Sequence, residues 1–233
     1  MPQSGPMEIQ ILTLFPGMFK GPFEESILKR AQNKRLVKID IIDLRSFSRD
    51  KHKKADDRPF GGGPGMVLSV EPIYQALRAL RRKTPKPYVI LLSASGPLFR
   101  QKMARFLSRK RRLVMICGHY EGVDERVKRW VDAELSIGDY VLTCGEIPAM
   151  VITDSVARLI PGVLGDKDSA GWESFEKGLL EYPHYTRPSA FRGMKVPKVL
   201  LSGDHQRIAE WRMKKAVERT LRNRSELLNE DAT

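Results

Sequence analysis

A chain of 233 residues, 41% hydrophobic and 30% charged, is long enough for one large domain or one domain with a small appendage, and its composition excludes a disordered or fibrous protein. No run of about 18 apolar residues occurs, which excludes a membrane-spanning helix. The 41 Lys and Arg residues outnumber the 28 Asp and Glu, a net charge of +13 that points to a polyanionic partner, because counterion release favours Lys and Arg on phosphates.

In chain order, residues 1–6 read as a disordered leader without the basic and apolar regions of a secretion signal. Glu8 to Phe15 is a buried strand stopped by Pro16-Gly17, and a helix follows from Phe23 to about Lys34. Val37 to Leu44 alternates apolar and polar residues for a second strand. Residues 45–65 form a long polar loop ending in Gly61-Gly-Gly-Pro-Gly65, of a length usually reserved for function. Ser69 then caps a helix to about Arg82, with Pro72 in its tolerated first turn. Tyr88 to Ser93 is a strand, Gln101 to Arg109 a helix, Leu113 to Cys117 a strand and Asp124 to Val131 helical. Leu135 to Val141 mixes strand and loop, and Ala149 to Ile160 is a helix ended by Pro161-Gly162. Strands alternating with helices predict a parallel α/β sheet over 7–161. Residues 162–177 read as a linker or active-site loop, and 178–233 as a smaller, mostly helical domain.

The helix from His205 to about Arg222 sets Ala209, Met213, Ala216, Val217, Thr220 and Leu221 on one side. Its basic residues, Lys214 and Lys215 among them, fall broadly opposite with Trp211. That face reads as RNA-facing, and Trp211 either stacks on RNA or packs on a neighbouring element. Cys117 and Cys144 are too few for a disulfide framework and read as free thiols of a reducing, cytoplasmic protein.

Three glycine-marked loops follow apolar strands: Ser93-Ala-Ser-Gly96, Cys117-Gly-His-Tyr-Glu-Gly122 and Ile137-Gly-Asp-Tyr-Val-Leu-Thr-Cys-Gly-Glu-Ile-Pro148. Ligands of parallel sheets sit outside the carboxyl ends of strands, where such loops converge, and glycines admit a ligand close to the backbone. Each loop alone is equally well a tight turn; three in succession favour a small-molecule site. No Walker-type or dinucleotide glycine fingerprint is present, and no zinc-ligand spacing, so triphosphate hydrolysis and a metal site are disfavoured.

The runs Asp56-Asp-Arg-Pro-Phe-Gly-Gly-Gly-Pro-Gly-Met66, Cys117-Gly-His-Tyr-Glu-Gly-Val-Asp-Glu-Arg126, Ser136-Ile-Gly-Asp-Tyr-Val-Leu142, Asp154-Ser-Val-Ala-Arg158 and Pro183-His-Tyr-Thr-Arg-Pro188 resemble the bacterial tRNA (guanine-N1)-methyltransferases of the SPOUT superfamily. Val199-Leu-Leu-Ser-Gly-Asp-His205 resembles their C-terminal domain, and the likeness extends from Met7 to about Leu228. The resemblance implies a trefoil-knotted parallel α/β domain, a homodimer with active sites between subunits, and a tRNA substrate rather than DNA or a membrane. It implies S-adenosylmethionine as methyl donor, held by Leu92, Ser93 and Ala94, by Gly118, Tyr120, Glu121 and Gly122, and by Ile137, Gly138, Tyr140, Val141, Leu142, Gly145 and Pro148. A Mg²⁺ requirement is part of the family's description, though no metal-ligand cluster is legible.

Methylating guanine N1 requires a base for its proton and a cation for the charge that builds on O6. The resemblance puts the cation at Arg158 and the base at Glu173, within Trp172-Glu-Ser-Phe175, where the family usually carries Asp. By local sequence alone Glu173 is a solvated linker carboxylate and Arg158 a helix-end arginine; Asp168 is the alternative base. Asp56 and Arg58 are expected on the RNA side of the site, or else as an ion pair closing their loop. A non-catalytic RNA-binding protein is the competing class, and the carboxylate retained at 173 weighs against it.

Overall fold

The computed structural model describes residues 5–165, 173–176 and 178–228, which fall into two units, Met1–Gly165 and Asp166–Thr233. The first unit is built on five parallel strands, β1 (Met7–Thr13), β2 (Val37–Asp43), β5 (Tyr88–Leu92), β6 (Arg112–Cys117) and β7 (Ala133–Leu135), in the order β2-β1-β6-β5-β7. The expected parallel α/β sheet is therefore present. Alternate residues of the central strands feed opposite cores. Ile9, Ile11, Ile90, Leu92, Leu113, Met115 and Cys117 pack with α1 (Ser26–Asn33), α3 (Gln101–Ser108) and α4 (Glu146–Ala157). Leu12, Val89, Leu91, Val114 and Ile116 pack with α2 (Val70–Arg81) and Val127 of the 3₁₀ turn Glu125–Trp130. Covering both faces explains why these strands read as continuous apolar runs.

Several boundaries differ from the sequence expectation for local reasons. The first helix starts at Ser26 rather than Phe23, because Glu25 at its N-cap position is extended (φ −127°, ψ 163°), and Pro16–Phe19 forms a separate 3₁₀ turn with its proline at the start. Ser69 occupies the N-cap position of α2 but its hydroxyl makes no capping bond. The expected helix Asp124–Val131 is a 3₁₀ turn capped by the Asp124 side chain on the Arg126 amide. Helix α4 begins three residues early, at Glu146, with Pro148 tolerated in the first turn, and ends at Ala157. The long polar loop contains a two-stranded antiparallel ladder, β3 (Asp56–Asp57) with β4 (Val67–Leu68). Gly61, Gly62, Gly63 and Gly65 within it all have positive φ, a region L side chains enter at a cost. Of the residues expected to form the leader, 1–4 lie outside the described residues, while the Gly5 carbonyl accepts from the Arg111 guanidinium at 2.7 Å.

The amino-terminal end of the sheet is held by Arg112, only 2% exposed. Its guanidinium donates to Glu8 Oε2 (3.0 Å), Gln10 Oε1 (3.0 Å) and the carbonyls of Lys83, Pro85 and Leu80 (3.0, 2.8 and 3.3 Å). One side chain thus ties β1, β6, the end of α2 and the following loop.

The second unit contains a hairpin, β8 (Ala190–Phe191) with β9 (Met194–Lys195), and helix α5 (His205–Asn223) capped by Asp204 on the Arg207 amide. The α5 residues that bury are Ala216 and Thr220, whereas Met213 and Leu221 of the expected apolar side stay exposed. Thr220 explains the difference: its hydroxyl accepts from the Leu180 amide and donates to the Ala216 carbonyl, both at 2.8 Å, which draws the chain over that stripe alone. No helix among the described residues is long and apolar enough to cross a membrane.

Replacing Arg112 by Met would strand Gln10 and three carbonyls in the interior. A loss of about 3 kcal/mol of unfolding free energy is expected, measurable by denaturant titration.

Candidate active site

Strands β6, β5 and β7 are neighbours, so the loops leaving Leu92, Cys117 and Leu135 emerge side by side at the carboxyl end of the sheet. Backbone bonds lace them together. Ser93 N–H donates to the Leu135 carbonyl (3.0 Å), and Phe99 and Ser136 bond across the first and third loops. His119 and Cys144 bridge the second and third. Gly145 N–H also donates to the Gly118 carbonyl at 2.7 Å. A Cβ on Gly145 would stand 2.6 Å from the Gly118 nitrogen and 2.8 Å from the Cys117 Cα, both backbone atoms that cannot swing away.

These loops enclose a cavity of about 490 Å³, within the ~300–1,000 Å³ range of small-molecule pockets. Leu92, Ser93 and Ala94 line it from the first loop, and Gly118, Tyr120, Glu121 and Gly122 from the second. Ile137, Gly138, Tyr140, Val141, Leu142, Gly145 and Pro148 line it from the third, so every residue expected at the cofactor is gathered around one cavity. Apolar Leu92, Ile137, Leu142 and Pro148 suit a planar ring, and the glycines leave backbone groups open to its edge. Tyr120 has φ 57° and Gly122 φ 120°, turning the second loop so that the Glu121 amide bonds the Met66 carbonyl at 3.0 Å. Val141 is 90% and Tyr140 55% exposed, which leaves one wall uncovered.

The cavity also includes polar side chains that the sequence reading passed over. Glu134, on β7, accepts from Ser95 Oγ at 2.7 Å and pairs with Lys128 at 3.3 Å. Burial pushes its carboxyl up, but the hydrogen bonds from Ser95, Ser93 and Lys128 outweigh that and hold it below its ordinary value of 4.5. Cys144 and His119 line the pocket as well. Beneath it, Glu146 is fully buried in the first turn of α4, where the helix dipole favours an anion, and Thr13 Oγ1 donates to it at 2.5 Å. The free thiol of Cys117 is pushed well up by burial, then by Glu146 and Cys144, so it stays protonated and packs as an apolar group.

Arg158 is half-buried and forms the C-cap of α4, its amide bonding the Asp154 carbonyl. Glu173 belongs to the second unit, half-buried in a turn closed by the Glu176 amide on its carbonyl; Ser174 Oγ accepts from the Glu181 amide. Asp168 lies outside the described residues. Asp56 is half-buried on β3 and Arg58 exposed; no ion pair joins them, and the Arg58 amide bonds Asp57 instead at 2.8 Å. Lys214 is exposed, and Lys215 pairs with Glu218 at 2.6 Å. Trp211 is half-buried, its ring centroid 6.4 Å from that of Tyr185. Among the described residues no three His, Cys, Asp or Glu side chains gather to hold a metal ion.

Two outcomes follow from this geometry. Gly145→Ala should part the second and third loops and lower the melting temperature in thermal melts, since the added methyl meets backbone. The stabilising effect of the depressed Glu134 carboxyl is complete above about pH 4.5 and fades as pH falls through its lowered value. Glu134→Gln should therefore flatten the acid limb of the stability–pH curve followed by thermal melts.

Comparison with known proteins bears on the whole chain. Residues 7–230 match the family model described as tRNA (Guanine-1)-methyltransferase TrmD. A tRNA (guanine-N(1)-)-methyltransferase of Dictyoglomus turgidum is 59% identical over 95% of this chain and 90% of its own. That of Endomicrobium trichonymphae is 52% identical, over 95% and 99%. The crystal structure of tRNA (m1G37) methyltransferase from Aquifex aeolicus superposes with a TM-score of 0.78 at 42% identity, covering 97% of this chain and 96% of that one. With a family model matched across nearly its full length and relatives above half identity, the chain belongs to the TrmD family of tRNA (guanine-1)-methyltransferases.

Proposed function

We propose that the chain transfers a methyl group from S-adenosylmethionine to N1 of the guanine immediately 3′ of the anticodon in tRNA. The observation that carries this reading is the single cavity at the ends of β5, β6 and β7, lined by every residue expected at the cofactor, in a chain of this family. When bound, S-adenosylmethionine supplies a methyl carried by a sulfonium, a good leaving group. The glycine and apolar loop residues hold its adenine and keep water from it. Glu173 accepts the N1 proton, since neutral guanine N1 is a poor nucleophile, and Arg158 donates hydrogen bonds to O6 as negative charge builds there. Glutamate keeps the carboxylate of the usual aspartate with one more methylene.

Asp56, Arg58, Lys214 and Lys215 face the tRNA, whose phosphates suit the chain's net charge of +13. The active unit is a homodimer with sites between subunits. Helix α4 supports this: Ile147 and Val151, one turn apart, leave an apolar pair exposed on it beside Asp154, a patch that a second subunit would cover. The same reading carries a trefoil knot through the three loops and a cytoplasmic location, where two free thiols and tRNA coexist.

Methyl transfer from labelled S-adenosylmethionine to tRNA transcripts tests the reading. Transcripts with guanine after the anticodon should be labelled and those without it should not; equal labelling would refute the assignment. Glu173→Gln should lower turnover by about 100-fold or more while S-adenosylmethionine affinity is kept, and full turnover in that variant would remove Glu173 as the base.

A further inference from the structure

The sheet face opposite α4 carries a second concavity, about 350 Å³, lined by Tyr74, Leu77, Arg78, Arg81, Arg82 and Trp130. Tyr74, Arg78, Arg81 and Arg82 stand at i, i+4, i+7 and i+8 and so share one face of α2. The Tyr74 and Trp130 rings lie 4.8 Å apart at 47°, and the tyrosine ring is 38% exposed. Arg81 donates to the Trp130 carbonyl at 2.9 Å and fixes the 3₁₀ turn Glu125–Trp130 against α2.

Charge here is unbalanced. Glu71, the acid on this helix, is engaged by Arg49 at 3.4 Å, and on the neighbouring turn Asp124 and Glu125 are engaged by Arg126 and Lys128. Arg78 and Arg82 have no ion pair among the described residues. A helix C-terminus favours cations by its dipole alone. That accounts for the arginines, and packing on the core accounts for Trp130, but neither accounts for a tyrosine ring left 38% exposed among the guanidinium groups. An exposed tyrosine ring flanked by guanidinium groups without ion pairs is what single-stranded nucleic acid needs, a π-face for the base and cations for the phosphates on either side. An acidic protein segment would use the arginines and leave the rings idle.

We propose that this groove is a second RNA-contact surface, in which Tyr74 stacks on an unpaired base while Arg78 and Arg82 take the flanking phosphates. It rests on the reading of tRNA as the partner, and it lies outside the cavity at the carboxyl ends of the strands. Retention of full-length tRNA by the whole chain on filters, over a salt series, tests it. Arg78→Ala with Arg82→Ala should weaken binding roughly 10-fold and reduce the slope of log affinity against log salt by about 1.5, the release of two phosphate contacts. Arg78→Lys with Arg82→Lys should restore the slope. Tyr74→Leu, which keeps an apolar side chain against Trp130 but removes the π-face, should weaken binding by about 10-fold with the slope unchanged, because stacking releases no counterions. Melting temperature and S-adenosylmethionine affinity should stay at wild-type values in all three. Unchanged tRNA affinity and slope would overturn the proposal, as would a loss matched by lower melting temperature, which marks a structural effect. A wild-type chain that retains no tRNA would overturn both this surface and the tRNA reading, whereas equal retention by wild type and variants overturns this surface alone.

Discussion

The approach of Gly145 to Gly118 sets the geometry on which the rest of the site depends. Two backbones in contact at 2.7 Å leave no room for a side chain between them, so the loop after β6 and the start of α4 act as one wall. That contact directs α4 back beneath the pocket, where Glu146 reaches Thr13 on β1 and the Cys117 thiol is sealed from water. The pocket is therefore bounded by main chain on one side and by apolar side chains on the other. Such a site can present both amide groups and a dry surface to a nucleoside.

Charged groups in this protein divide by depth. Those inside are few: Arg112 is fully engaged at one end of the sheet, while Glu146 near the other accepts the Thr13 hydroxyl on one oxygen and has no partner on the second among the described residues. The excess of basic residues lies outside, along α5, the 3₁₀ turn after β6 and the end of α2. Desolvation limits charge in the interior to a few sites, whereas the exterior carries an excess of cations in contact with water. The exterior keeps its cations for a partner that brings its own anions.

The sheet and the pocket were legible in the sequence because both rest on short-range signals. Apolar runs such as Leu113 to Cys117 imply a doubly covered strand, and the glycines that follow mark where the backbone must turn. What escaped was decided by contacts far apart in the chain. Glu134 reads as an ordinary charged residue until Ser95, thirty-nine positions away, is seen to donate to it. The early start of α4 depends on Gly145 meeting Gly118, and the narrow buried stripe of α5 on Thr220 meeting Leu180. The β3–β4 ladder was hidden by its length of two residues per strand, too short for alternation to register. Family membership came through whole motifs, and the roles proposed for Glu173 and Arg158 rest on those motifs alone.

The Arg112 anchor has a consequence for how this chain tolerates change. It sits at the first residue of β6, and the loops of the pocket leave from the last, about 17 Å further along the strand. Groups that far apart with no shared partner contribute nearly additively. The stabilising end of the sheet and its chemical end are thus separately heritable. Substitutions that retune the pocket draw on a reserve of stability held elsewhere, and a stronger anchor widens the range of loop sequences the same scaffold can carry.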